Sequence, residues 1–445
     1  MTKYKELNGH VFYRRMAHPR PMIASSEGIY LIDTEGRRYI DASGGPVVVN
    51  LGHGVTEIAQ AMAEQAQEAA YIHATMFTSQ AIEDYSAALA EVTPLENPRF
   101  FYLNSGSEAV ETALKFARQV QVERGEASRY LIISRWHSYH GTTLGTLAVS
   151  GRPSLRQLYQ PMMPQTPHIE PPYCYRCPFN LDYPACGLRC AHALEDAIKI
   201  NGPESIAAFI AEPISGASLA AAVPPAEYWP LIRQICDHYG VLLIVDEVMT
   251  GLGRTGAWFA IQGWDIEPDV ITMAKGVSGG YFPLSITAVK TADVQTIRAG
   301  RGDFNHGGTF SHHSVGAAVG LAVLRYLQQH HLIEAARVQG EKLGQKLQAA
   351  LGGQPHVGDI RGRGLMWGLE FVADRSTKAP FPAEHRLSRK IADAAFERGL
   401  IIYPSSGNVD GLQGDQVMIA PPFIVTDEQL DEIVALLAEA ITAVL

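Results

Sequence analysis

The chain has 445 residues, 47% hydrophobic and 18% charged, a composition that argues against extended disorder and leaves room for two or three domains. Thirty-six Lys and Arg stand against 46 Asp and Glu, a formal net charge of −10 with no polybasic run, which argues against a nucleic-acid or anionic-membrane partner. No stretch of 18 apolar residues exists to span a bilayer, and the opening MTKYKELNGHVFYRRM has neither an apolar h-region nor a cleavage site, so a cytoplasmic protein is expected.

In chain order, strands are predicted at 28–32 and 38–40 around the turn Asp33-Thr34-Glu35-Gly36. Helices follow at 56–70 and 81–91. From residue 99 the pattern becomes alternating: strand 99–103, helix 109–120, strands 129–134 and 206–213, helix 228–239, then strands 241–245, 270–274 and 284–290. Apolar strands alternating with helices predict a mostly parallel sheet covered on both faces, whose ligands bind beyond the carboxyl ends of the strands. Beyond it lie helices at 315–329 and 332–351, a strand through Phe371, helix 384–398, strands at 400–403 and 416–419, and a last helix with Thr426 as N-cap. The expected organisation is an α/β fold in three parts. Residues 1–55 pack with the small domain, 56–330 form the large domain with a seven-stranded sheet, and 331–445 form the smaller α+β domain.

Four strand ends carry residues of chemical interest. Asn104-Ser105-Gly106-Ser107-Glu108 opens a helix, where free N–H groups and the helix dipole suit a phosphate. The alternative is a plain helix cap with Ser107 as N-cap. Trp136-His137-Ser138-Tyr139-His140-Gly141 brings an aromatic ring to the same sheet edge; packing alone would also explain it. Asp246 closes an apolar strand, where a carboxylate is costly unless paired. It could be a structural acid bonded to loop N–H groups or the partner of a cationic ring nitrogen. Lys275 ends the next strand before Gly276. In a desolvated cleft its amine would be a nucleophile for carbonyls; otherwise it is a surface lysine. Gly251-Leu-Gly-Arg-Thr-Gly256 matches a dinucleotide fingerprint only formally, because no clear amphipathic helix follows and no acid closes a second strand at the required distance.

Taken together, NSGSEA at 104–109, WHSYHG at 136–141, AEP at 211–213, DEVMTGLGRTG at 246–256, MAKG at 273–276 and GGTFSHH at 307–313 resemble the class III, fold type I, pyridoxal-phosphate aminotransferases, over about residues 20–440. Asn50-Leu-Gly-His-Gly54 and Arg361-Gly-Arg-Gly-Leu365 match as well. The resemblance implies pyridoxal 5'-phosphate as cofactor, with Lys275 attached to it and carrying the proton, Asp246 on its ring nitrogen and Glu212 orienting the ring. Tyr139 and Val248 would lie on its two faces, His140 beside it, and Ser105, Gly106 and Ser107 on its phosphate. Thr309 would reach the phosphate of the neighbouring subunit of a homodimer, which could assemble further into a tetramer. The implied reaction carries an amino group from an ω-amino acid or primary amine to a 2-oxo acid, with pyruvate the expected acceptor. A racemase, aminomutase or decarboxylase of the same fold is the alternative.

Two features depart from the family. The arginine that often holds the substrate carboxylate is missing from 404–415, and no Lys, Arg or His follows Arg398. Arg14, Arg15 and Arg152 are the candidate replacements, and 45–48 and 75–77 would wall the pocket by analogy. The second departure is Cys174-x2-Cys177-x8-Cys186-x3-Cys190, a spacing that could hold zinc or a disulfide. No His or acid pattern supports it, and no metal is expected.

Overall fold

The computed structural model describes residues 10–15 and 20–445; most of the N-terminal lead-in, read above as lacking a leader, lies outside them. A seven-stranded sheet organises the centre. Its strands lie in the order Pro98–Leu103, Ser285–Lys290, Val270–Met273, Leu242–Asp246, Ile206–Ala211, Leu131–Arg135 and His168–Ile169. Ser285–Lys290 runs antiparallel to both its neighbours, and the other paired strands are parallel. Val270–Met273, Leu242–Asp246 and Ile206–Ala211 are buried throughout, as a sheet covered on both faces requires. The edge strand His168–Ile169 has only two residues, too few for a sequence pattern to show.

Two four-stranded sheets flank this centre. One joins Ile23–Glu27, Tyr30–Asp33 and Arg38–Asp41 to Leu400–Ile401, which pairs in parallel with Ile40 and Asp41. The other joins Val357–Arg363, Met366–Phe371, Asp415–Ile419 and Tyr403–Ser406. Two expected strands divide, and one strand was not expected. Ile23–Glu27 precedes the expected strand at 28–32 and forms a hairpin with it through Gly28, with φ +58°, while Gly364, with φ +55°, divides the strand expected to run through Phe371. The strand expected at 400–403 serves two sheets, its first half pairing with the N-terminal segment and its second with the C-terminal one.

Helix Gly106–Glu123 packs on the sheet with Val110, Ala113, Phe116, Ala117 and Val120 buried. Leu387–Glu397 is shorter than expected because a 3-10 turn, Ala383–His385, precedes it. Thr426 caps Asp427–Thr442 through a reciprocal pair with Gln429. No helix among the described residues is long and apolar enough to cross a membrane.

Candidate active site

The carboxyl ends of the parallel strands converge on one cavity of about 290 Å³. Ser105, Gly106, Ser107, Tyr139, His140, Asp246, Val248 and Lys275 all line it. They come together because each follows its strand directly, so the sheet spaces them.

Asp246 is 3% exposed and forms the floor. Its Oδ1 accepts from Val248 N at 3.0 Å and from Thr272 Oγ1 at 3.1 Å, while Oδ2 is bonded to His140 Nδ1 at 2.7 Å. The loop-bonded structural reading is thus true of one oxygen only. His140 N in turn donates to Ser150 Oγ at 2.8 Å, and its Nε2 is buried without a partner. Glu212 sits behind this pair and does not line the cavity. Its Oε1 accepts from Gly216 N at 3.0 Å and its Oε2 is buried without a partner. Burial raises the Glu212 pKa, with His140 and Arg135 opposing that rise and Asp246 adding to it.

Lys275 begins a 3-10 turn, Lys275–Val277, with φ +51°. Burial lowers its pKa to about 8, against the opposing pull of Asp246 and Glu212. Much more of this amine is neutral near pH 8 than of an ordinary lysine. Asn50 Nδ2 donates to Gly276 O at 3.1 Å, tying the Asn50 motif to the lysine turn.

At the opposite wall Ser105, not Ser107, is the N-cap, its Oγ accepting from Glu108 N at 3.3 Å. Ser107 Oγ accepts from Thr142 N at 3.1 Å and so joins the helix start to the aromatic loop. Gly106 leaves the space between them open, since a Cβ there would stand 3.1 Å from Val248 Cγ1. Tyr139 and Val248 provide the apolar walls. Trp136 turns away and stacks on His168 at 4.3 Å.

Other expected residues lie elsewhere. Thr309 is exposed and outside this cavity. Of 45–48 only Val48 lines it; Thr75, Met76 and Phe77 are exposed. The glycine run 251–256 folds as turns around Arg254, which donates to Leu365 O, Pro421 O and Val49 O, and no long helix follows. The four clustered cysteines are free thiols, near enough for Cys177 and Cys186 to bear on Cys174. Among the described residues no group of three or more His, Cys, Asp or Glu is arranged to hold a metal.

Sequence reasoning missed Thr272, Ser278 and Phe282, the first bonded to Asp246 and the others lining the cavity. A hydroxyl inside the apolar run Val270-Ile-Thr-Met was the available signal for Thr272. The loop 278–284 carries none, for it has no period.

Residues 12–441 match the family described as Aminotransferase class-III. The chain is similar to YodT of Bacillus subtilis, an uncharacterised aminotransferase, at 37% identity over 98% of each chain. It is 34% identical to the putrescine–pyruvate aminotransferase of Pseudomonas aeruginosa, over 98% of this chain and 91% of that one. Among solved structures, a thermostable (S)-enantioselective omega-transaminase from Thermomicrobium roseum is similar with a TM-score of 0.91 and 35% identity, covering 98% of this chain and 96% of that one.

Proposed function

The chain belongs to the class III aminotransferases, and on that premise we propose that it carries an amino group from an ω-amino acid or primary amine to pyruvate, with pyridoxal 5'-phosphate as cofactor. The observation that supports this most is the joint placement of a buried carboxylate, Asp246, and an amine held near pKa 8, Lys275, in one cavity.

When bound, pyridoxal phosphate supplies a reactive carbonyl and an electron-withdrawing ring. The remaining roles belong to this chain. Asp246 holds a proton at the ring nitrogen, and His140 fixes the carboxylate at 2.7 Å so that it cannot swing away. Glu212 stands behind the His140–Asp246 pair, its carboxyl driven by burial toward the neutral form. Lys275 would hold the cofactor through its amine and, when that amine is free, would move the proton at the reacting carbon. Tyr139 and Val248 flank the ring and exclude water from its faces. Ser105, Gly106 and Ser107 take the phosphate at the start of an 18-residue helix, whose dipole favours the charge. Ser105 Oγ already accepts a bond, which leaves its proton to donate.

In this reading a second copy covers the exposed Met76, Phe77, Phe310 and Thr309. Thr309 then serves the phosphate in the neighbouring subunit. Two half-reactions follow, one taking the amine donor and the other the 2-oxo acid acceptor.

The visible spectrum of the purified, cofactor-loaded protein tests the reading. An absorption band that bleaches on adding the amine alone, and returns with pyruvate, is the expected result. A band that persists with every amine tried while substrate stereochemistry scrambles or carbon dioxide is released would overturn it.

A further inference from the structure

Of the three arginines that could replace the missing family cation, Arg15 lines a separate groove with Arg20, Ile23 and Arg389. Arg152 is placed differently. It follows Gly151, whose N donates to Ser138 O and Oγ, both at 3.1 Å, in the loop that carries Tyr139. Position 151 admits only glycine, because a Cβ there would lie 2.1 Å from Arg135 O. The Arg152 backbone is therefore pinned beside the cavity wall.

Its side chain reaches the strand Tyr403–Ser406. Nη2 donates to Ser405 Oγ at 3.1 Å and approaches Ser406 O at 3.5 Å. This is the start of the stretch from which the family arginine is missing, reached from the opposite side. Nε is buried with no partner, and no ion pair is formed by Arg152 among the described residues. The acid of that loop, Asp410, is occupied by Leu412 N at 2.9 Å and Gln413 N at 2.7 Å. The other charge bearing on Arg152 is Arg14, of the same sign. Burial pulls the Arg152 pKa below its ordinary value, with Tyr403 and Tyr139 close enough to affect it. A desolvated cation without a counter-charge is costly, and a carboxylate is the group that a guanidinium fork fits best.

Resting on the transaminase reading above, we propose that Arg152 receives the carboxylate of the 2-oxo acid acceptor at the edge of the cavity beyond Tyr139, and so makes the enzyme select acceptors with a carboxylate next to the reacting carbonyl. The guanidinium does not touch the reacting carbon; it sets which acceptor is bound.

The test compares pyruvate with propanal, an aldehyde acceptor of the same carbon number without a carboxylate, using n-butylamine as a donor that has no carboxylate of its own. In Arg152→Gln the KM for pyruvate should rise about ten- to a hundredfold, the loss expected for a charge-assisted hydrogen bond. The KM for propanal should move less than twofold, and Arg152→Lys should recover part of the pyruvate loss. An unchanged pyruvate KM, or an equal loss for both acceptors, would overturn the proposal. Propionate binding to the loaded protein, followed by calorimetry, requires no turnover. Binding that depends on Arg152 in a protein that fails to transaminate would sink the functional reading and leave this one standing.

Discussion

Behind the C-terminal sheet, Glu370 is fully buried and completely met: Tyr173 Oη and Arg176 Nε donate to it, and Arg361 Nη1 lies at 3.1 Å. Arg361 goes on to Asp359, Leu219 O and Gln416 Oε1, and Gln416 Nε2 to Ser218 O. Behind the cavity floor, Glu212 is also buried, yet one of its oxygens has no partner, and neither has His140 Nε2. Both regions bury charge at a strand end or within a sheet. One meets both oxygens of its acid and works as structure; the other leaves an oxygen of its acid and a ring nitrogen open, which is a cost.

Mutation can separate the two. The largest effect belongs to the open region: Lys275→Ala should cut turnover on the order of 10⁴-fold or more, while its chemical unfolding curve stays where the parent's is. A variant that still turns over normally would remove Lys275 from the chemistry. Next comes the closed region. Glu370→Ala removes the buried acid that Arg176 and Arg361 share, leaving Arg176 without its carboxylate, and should cost about 3–5 kcal/mol, measured by guanidinium-induced unfolding, with activity per folded molecule retained. A loss under 1 kcal/mol would mean that the network contributes no more than a surface pair.

The smallest effect is the most pointed. The Glu212 pKa is raised by burial, so its contribution to stability is present below its unfolded value and is lost as pH rises through the folded one. In protein without cofactor, Glu212→Gln should gain melting temperature on the parent as pH goes from 5 to 8. A gap that stays constant or narrows over that range would show that burial does not raise the Glu212 pKa.

Much of this was readable in the sequence, for a definite reason. Ser105, Tyr139, Asp246 and Lys275 each follow an apolar strand closely, so the sheet pattern and the chemistry point to the same edge. What escaped depends on partners far along the chain. Nothing local in 400–403 reveals that Leu400 pairs with Ile40 while Tyr403 pairs with Met418. Nothing near Asn50 announces its bond to Gly276, and the choice of Ser105 over Ser107 as cap rests on backbone angles that two serines flanking a glycine leave open. Residues 75–77 were placed by analogy with an assembly, and a single chain turns them outward.

The backbone of Lys275 has a further consequence. At φ +51° a residue with a side chain sits in a region that costs roughly 1 kcal/mol or more and that glycine enters freely. On the role proposed for Lys275, heat resistance and catalysis therefore pull in opposite directions at this one position. A population of variants selected only for surviving high temperature would be drawn toward glycine at 275, and in that reading would gain stability while losing turnover. Any effort to harden this enzyme must keep activity in the selection, or it will discard the amine first.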